Sequence, residues 1–83
     1  MLRSFRLDPQ AFLEILHLGQ CVLGSRSHQL QAVRNPSRPG RITVVRLDQD
    51  VTGDEIETHL LNLDLPASQF LAWHTRYMAL IRK

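Results

Sequence analysis

Cysteine is almost absent from this chain of 83 residues: Cys21 is the only one, so no disulfide can form within the chain. A single thiol is typical of proteins in a reducing compartment, and we therefore expect a cytoplasmic location. Long apolar runs are also missing. The longest, residues 11–23, contains Glu14, His17 and Gln20 and is too short to cross a bilayer. We therefore expect neither a signal peptide nor binding to a membrane.

The recurring signatures of catalytic and cofactor sites are missing as well. There is no glycine-rich phosphate loop, no CxxC or HExxH spacing and no residue order typical of a catalytic triad. His17 and Cys21 lie four residues apart on a predicted helix, a spacing that suits a metal-ligand pair or a thiol beside a base. A small core residue is the simpler interpretation of Cys21. We therefore predict a protein that is not an enzyme and binds no metal or cofactor.

Residues 48–53 resemble the first half of a calcium-binding EF-hand loop, with oxygen-bearing side chains at alternate positions and glycine at the sixth. The second half does not fit, because Glu55 occupies a normally apolar position and His59 the position of the closing glutamate. Thr52 and Glu55 have instead the spacing of a helix capping box. The segment is therefore predicted to begin a helix and not to bind calcium.

Lysine and aromatic residues are scarce, whereas arginine is frequent. Nine of the ten basic residues are arginine, and the net charge is +2. Residues 1–46 hold seven arginines against two carboxylates, and residues 47–83 hold six carboxylates against three basic residues. Arginine suits phosphate and carboxylate partners alike. Because no aromatic residue lies between Phe12 and Phe70, stacking on unpaired bases is disfavoured in the basic half.

The sequence predicts one α+β domain over residues 1–83. It consists of a small antiparallel sheet, formed by a short N-terminal strand and a β-hairpin, packed against three helices in the order β-α-β-β-α-α. The predicted elements are a strand over residues 2–7, a helix over 9–23 with Gly24 as its stop, strands over 29–34 and 41–47, and helices over 53–62 and 66–82. A stiff loop at residues 35–40 joins the hairpin strands. So small a domain has marginal stability, which favours a homodimer.

The two C-terminal helices resemble a helix-turn-helix in their apolar spacing, with Asp64 at the turn. A recognition helix of that motif would present Ser68, Gln69 and Arg76 to the major groove. The preceding helix, however, carries three carboxylates that a phosphate backbone would repel: Asp54, Glu55 and Glu57. A plain pair of helices packed on the sheet is the alternative interpretation.

Two functions remain open at this point. In the first, the chain is a small bacterial or phage-type adaptor or inhibitor that binds another protein, or itself as a homodimer. Its candidate residues are arginines on the hairpin and aromatic residues on the last helix: Arg34, Arg38, Arg41, Arg46, Trp73 and Tyr77. In the second, it is a transcriptional regulator that binds nucleic acid through Arg26, Arg38, Ser68, Gln69 and Arg76. The modest net charge favours the first hypothesis.

Overall fold

The computed structural model describes residues 2–82 and confirms the predicted α+β class, with three helices and small antiparallel sheets in that part of the chain. Five strands are present there, in place of the three that the sequence predicts. The elements, in chain order, are β1 (Arg6–Leu7), α1 (Pro9–Leu18), β2 (Val22–Arg26), β3 (Leu30–Asn35), β4 (Arg38–Arg46), β5 (Val51–Thr52), α2 (Gly53–Leu63) and α3 (Ala67–Ile81).

The sheet that dominates the molecule is an antiparallel meander of β2, β3 and β4, with β3 in the middle. Strands β1 and β5 form a separate two-stranded pair. Helix α2 packs mainly against β4, and α3 packs mainly against α1. The helices thus cover one face of the meander. Val33 and Val45 are fully buried on that face and join the core formed with the helices.

Two helix starts are stabilised by local capping hydrogen bonds, and the one at Thr52 is the capping box that the sequence predicts. The carboxylate of Asp8 accepts hydrogen bonds from the backbone of Gln10 and Ala11 at the beginning of α1. At the beginning of α2, the Thr52 backbone N–H donates to Glu55 Oε1 at 2.9 Å, and the Glu55 N–H donates to Thr52 Oγ1 at 3.4 Å. The capping box is therefore confirmed, and it orients α2 against the sheet.

The first helix is shorter than predicted, because it ends at Leu18 and not near residue 23. Gly19 caps it, and Gln20 adopts a left-handed backbone with φ of 71°. The chain then reverses, so that residues 22–26 form β2 and pair with β3. The predicted placement of His17 and Cys21 on one helix face is consequently wrong: Cys21 lies beyond the helix and is buried.

The N-terminal strand is also shorter than predicted, since only Arg6 and Leu7 pair with another strand. Before them the chain turns, with the Phe5 N–H donating to the Leu2 carbonyl, and the Leu2 side chain enters the core. Gly53, at the start of α2, allows this N-terminal segment to pack closely against it. Its α-carbon lies so close to the Leu2 carbonyl that a side chain there would collide with backbone.

The predicted hairpin is confirmed in β3 and β4, but the prediction of a loop over residues 35–40 is wrong. Only Pro36 and Ser37 form the turn, because β4 already begins at Arg38. The two C-terminal helices have nearly the predicted bounds. They make few contacts with each other, since each packs mainly on a different part of the molecule.

Candidate functional site

The candidate site is the face of the meander opposite the buried side chains of Val33 and Val45. At the β4 edge of this face, Val44 and Arg46 line an open cavity together with the α2 residues Asp54 and Glu55. Side chains alternate between the two faces of a strand, and the cross-strand register decides which of them lie together. In β3 and β4 the pairs Ala32–Val44 and Arg34–Ile42 belong to the uncovered face, whereas Val33 on the other face is fully buried. We call the eight residues on the uncovered side the outer sheet face: Val22, Gly24, Leu30, Ala32, Arg34, Ile42, Val44 and Arg46.

Four large aliphatic side chains lie half exposed on the outer sheet face. Their exposed fractions are 40% for Val22, 43% for Leu30, 50% for Ile42 and 47% for Val44. An antiparallel sheet that is covered on one side normally presents polar residues on the other. A contiguous apolar patch at the surface of a small protein is typical of an interaction site. The outer sheet face thus has the composition of a binding surface.

Two arginines share this face, and their surroundings differ. Arg34 lies in the middle strand, with Val22 opposite it on β2 and Ile42 opposite it on β4. Among residues 2–82, no carboxylate lies within 4.0 Å of its guanidinium. Arg46 lies at the other end of the face and donates to both carboxylate oxygens of Asp48, at 3.2 and 2.9 Å. These hydrogen bonds lower the pKa of Asp48. The positive charge of Arg34 is thus uncompensated, whereas that of Arg46 is largely neutralised.

The structure separates the other arginines of the sequence hypotheses from this face. Arg38 Nε lies 3.0 Å from the Asp64 carboxylate, on the turn between α2 and α3. Arg41 alternates with Ile42 along β4 and so belongs to the opposite side of the strand. Arg26 lies beyond the β-bulge in β2, in register with the buried Gln31. The five arginines therefore do not form one basic patch.

The β3–β4 hairpin is joined to the helices through Asn35, whereas its turn residues Pro36 and Ser37 are exposed. The buried Asn35 side chain donates from Nδ2 to the Leu63 carbonyl at 2.6 Å, and its Oδ1 accepts from the Ser37 N–H at 2.8 Å. The Leu63 carbonyl is one of those that the C-terminus of a helix leaves without an intrahelical partner. Together with the ion pair of Arg38 and Asp64, this hydrogen bond joins the hairpin to the α2–α3 turn.

The two aromatic candidates on α3 are partly buried and pack against the core. Trp73 is half-buried and its indole covers Gly19 so closely that no side chain would fit there. Tyr77 is half-buried beside α1, in an open groove that Glu14 and His17 also line. Desolvation, together with the nearby charge of Glu14, raises the pKa of Tyr77. Much of their apolar surface is therefore used to pack α3 against α1.

The residues proposed to contact a DNA groove lie exposed on α3: Ser68 and Gln69 in its first turn, and Arg76 two turns later. Gln69 lines a small cavity together with Trp73 and the hairpin residue Arg38. The hairpin tip thus lies beside the first turn of α3, where a recognition helix needs open space. Exposed carboxylates on α2, at Asp54 and Glu57, add an unfavourable charge for phosphate.

Chemically reactive side chains are sparse in the described part of the chain. Cys21 is 2% exposed, and burial raises its pKa to about 11, so its thiolate is disfavoured. His59 is half-buried, with Nδ1 2.6 Å from the Thr43 hydroxyl, and desolvation lowers its pKa. Within residues 2–82 no three His, Cys, Asp or Glu side chains are grouped closely enough to hold a metal ion. None of the helices there is long and apolar enough to cross a membrane.

Comparisons with protein families, curated proteins and solved structures found no match to this chain.

The sequence hypotheses missed the aliphatic residues of the outer sheet face, although one signal for them was present. Strand β4 carries aliphatic residues on both of its faces: Ile42 and Val44 on one, Val45 on the other. A strand that is covered on one side needs apolar residues on that side only. Apolar residues on the second face of such a strand therefore indicate a second contact surface.

Proposed function

We propose that this chain binds another protein through the outer sheet face and acts as a non-enzymatic adaptor or inhibitor. The observation that carries the proposal is the group of four half-exposed aliphatic side chains on that face. Removing such side chains from water on contact is the main driving force of protein association. The hydrogen-bonded backbone of the meander positions these side chains before a partner arrives, which reduces the conformational entropy lost on binding.

The distribution of charge favours a protein over a nucleic acid as the partner. Binding to duplex DNA or RNA depends on several basic side chains that reach the phosphate backbone together. Here Arg26, Arg38 and Arg41 lie away from the outer sheet face, and Arg46 is neutralised by Asp48. The centre of the face is aliphatic, which suits the core of a protein interface.

An affinity capture with two matched variants tests the proposal. The variant Ile42→Thr/Val44→Thr removes apolar surface from the outer sheet face while keeping β-branched side chains in the strand. Leu61→Gln is the control, because Leu61 is 75% exposed on α2, away from that face. Both variants are first shown to unfold at the same denaturant concentration as the wild-type protein, and the cell extract is treated with nuclease.

We expect wild-type protein and Leu61→Gln to retain the same proteins and the double variant to lose them. Equal retention by all three forms would refute the proposal. Purified duplex DNA and RNA are titrated separately, and binding there with an affinity that falls steeply as salt rises, without capture of any protein, would support the nucleic-acid hypothesis instead.

A further inference from the structure

The dimensions of the outer sheet face limit what can cover it. Neighbouring strands lie about 4.8 Å apart, so β2 and β4 are separated by about 10 Å. Leu30 and Arg34 are four positions apart on β3, which is about 13 Å at the usual rise per residue. An α-helix with its side chains is about 10 Å in diameter. The face thus has the width of one helix and the length of about two to three helical turns.

This area is small for an interface between two copies of the chain. A stable protein–protein interface involves about 20–30 residues on each side. The outer sheet face offers eight. Two such faces in contact would therefore be too small for a stable dimer, whereas docking of one amphipathic helix needs only a surface of its own width and a few turns in length.

The sizes of the side chains on the outer sheet face would allow one side chain of a partner to insert near its centre. Gly24 and Ala32 are neighbours on β2 and β3, and a β-carbon built at Gly24 would lie 3.5 Å from that of Ala32. Larger side chains flank this pair along the strands, with Leu30 on one side and Val22 on the other. Because Gly24 and Ala32 are smaller than these neighbours, we expect a shallow depression between them, which an aliphatic residue of a bound helix can enter.

The charge of the face distinguishes between partners. None of its eight residues is acidic, and no carboxylate of residues 2–82 pairs with Arg34. A second copy would bring a second Arg34 to the centre of the interface. The carboxylates that border the face, Asp54 and Glu55 in the cavity beside Val44, lie at its β4 edge and not at its centre. A partner with a carboxylate beside its apolar residues would form an ion pair with Arg34 between Val22 and Ile42. Partial exclusion of water there strengthens a charge-assisted hydrogen bond.

We infer that the occupant of the outer sheet face is an amphipathic helix of a partner protein, with an aliphatic stripe flanked by Asp or Glu. The inference rests on the proposed function and specifies the partner's chemistry. The aliphatic stripe lies along β3, and one residue enters the depression at Gly24 and Ala32. A carboxylate on the flank of the helix accepts hydrogen bonds from the Arg34 guanidinium.

Selection from a displayed library of random peptides tests this chemistry without assuming a sequence. Peptides of about 16 residues, long enough for four helical turns, are selected on the wild-type protein and on Arg34→Glu. Arg76→Glu, at an exposed position on α3, is the matched control for the charge change. Selected peptides are then measured against all three proteins and against Ile42→Thr/Val44→Thr, and the oligomeric state of the wild-type protein is determined by sedimentation.

We expect wild-type protein and Arg76→Glu to select aliphatic residues at helical spacing next to Asp or Glu. Arg34→Glu should select Lys or Arg at the same flank and should bind the acidic peptides about tenfold more weakly. The double variant should lose both classes of peptide.

Selection of the same charges by wild-type protein and Arg34→Glu would overturn the inference. So would a wild-type dimer that the Ile42→Thr/Val44→Thr change dissociates, since a second copy would then cover the face, and so would binding of duplex DNA that depends on Arg34. If the double variant still loses its captured proteins in the affinity experiment, the proposed function survives these results. If capture is unchanged, the proposed function itself fails.

Discussion

Arg34 and Ile42 lie directly opposite each other on β3 and β4, with both side chains on the uncovered side of the sheet. Ile42 is half exposed, and no described carboxylate lies within ion-pair distance of Arg34. Folding alone does not require an aliphatic side chain at such a position. The pair combines apolar contact with one positive charge, which is the combination that we assign to the partner-binding surface.

The two faces of the meander should respond differently to substitution. Ile42→Thr should change the free energy of unfolding by less than about 1 kcal/mol, because the side chain is already half in water. Val33→Ala, on the covered face, should cost about 2–3 kcal/mol, because Val33 is fully buried and its removal leaves a cavity. Chemical denaturation of both variants measures the difference. Equal losses would show that the outer sheet face is part of the core.

Asn35 should be sensitive to an almost isosteric change. Asn35→Asp keeps an acceptor for the Ser37 N–H but removes the donor to the Leu63 carbonyl, and it places a negative charge against that oxygen. A loss of about 2 kcal/mol in the free energy of unfolding is expected. Arg38→Gln, which removes the exposed ion pair with Asp64, should cost less than about 1 kcal/mol. The reverse order in denaturation experiments would contradict the buried hydrogen bond.

Stability should fall in mildly acidic solution because of His59. Burial lowers its pKa in the folded protein below the usual value of 6.5, and the nearby charge of Glu55 opposes this effect only in part. The unfolded chain therefore binds a proton more readily than the folded one. The stability contributed by the neutral ring is complete above pH 6.5 and is lost as the pH falls towards the folded-state pKa. Denaturation midpoints of the wild-type protein and of His59→Gln, measured between about pH 7 and 5, test this loss of stability. If the two midpoints change with pH in the same way, His59 is not its cause.

Gly19 and Trp73 should be coupled. Gly19→Ala places a methyl group where the indole lies, so it should destabilise the wild-type protein by about 2 kcal/mol. In a Trp73→Leu background the same change should cost much less, because the ring is absent. A double-mutant cycle measured by denaturation gives the coupling energy. Purely additive losses would show that the two residues do not contact each other.

Local signals in the sequence predicted the helix starts, the hairpin and the turn between the last two helices. Asp8 and Thr52 cap helices as their residue types suggest, and Asp64 adopts the left-handed backbone that its position requires, with φ of 58°. Each of these features depends on residues that are near one another in the chain.

The strand β2 could not be predicted in the same way. The apolar spacing of α1 continues through Val22 and Leu23, so that periodicity alone extends the helix. The helix ends at Gly19 in a structure where Trp73, more than fifty residues later, packs against that glycine. Which face of the meander the helices cover likewise depends on contacts between distant segments. The full set of residues in the candidate site could therefore be identified only from the pairing register of all three strands.

Site-specific photo-cross-linking in the native host would identify the molecule that contacts the outer sheet face. A photoreactive amino acid is introduced at Val44 on the outer sheet face and, in a separate protein, at Leu61 on α2, which is also exposed. We expect irradiation to give a covalent adduct with a second, different protein from position 44 and none from position 61. Equal adducts from both positions, an adduct with nucleic acid, or no adduct from position 44 would contradict the claim that this face binds a protein partner.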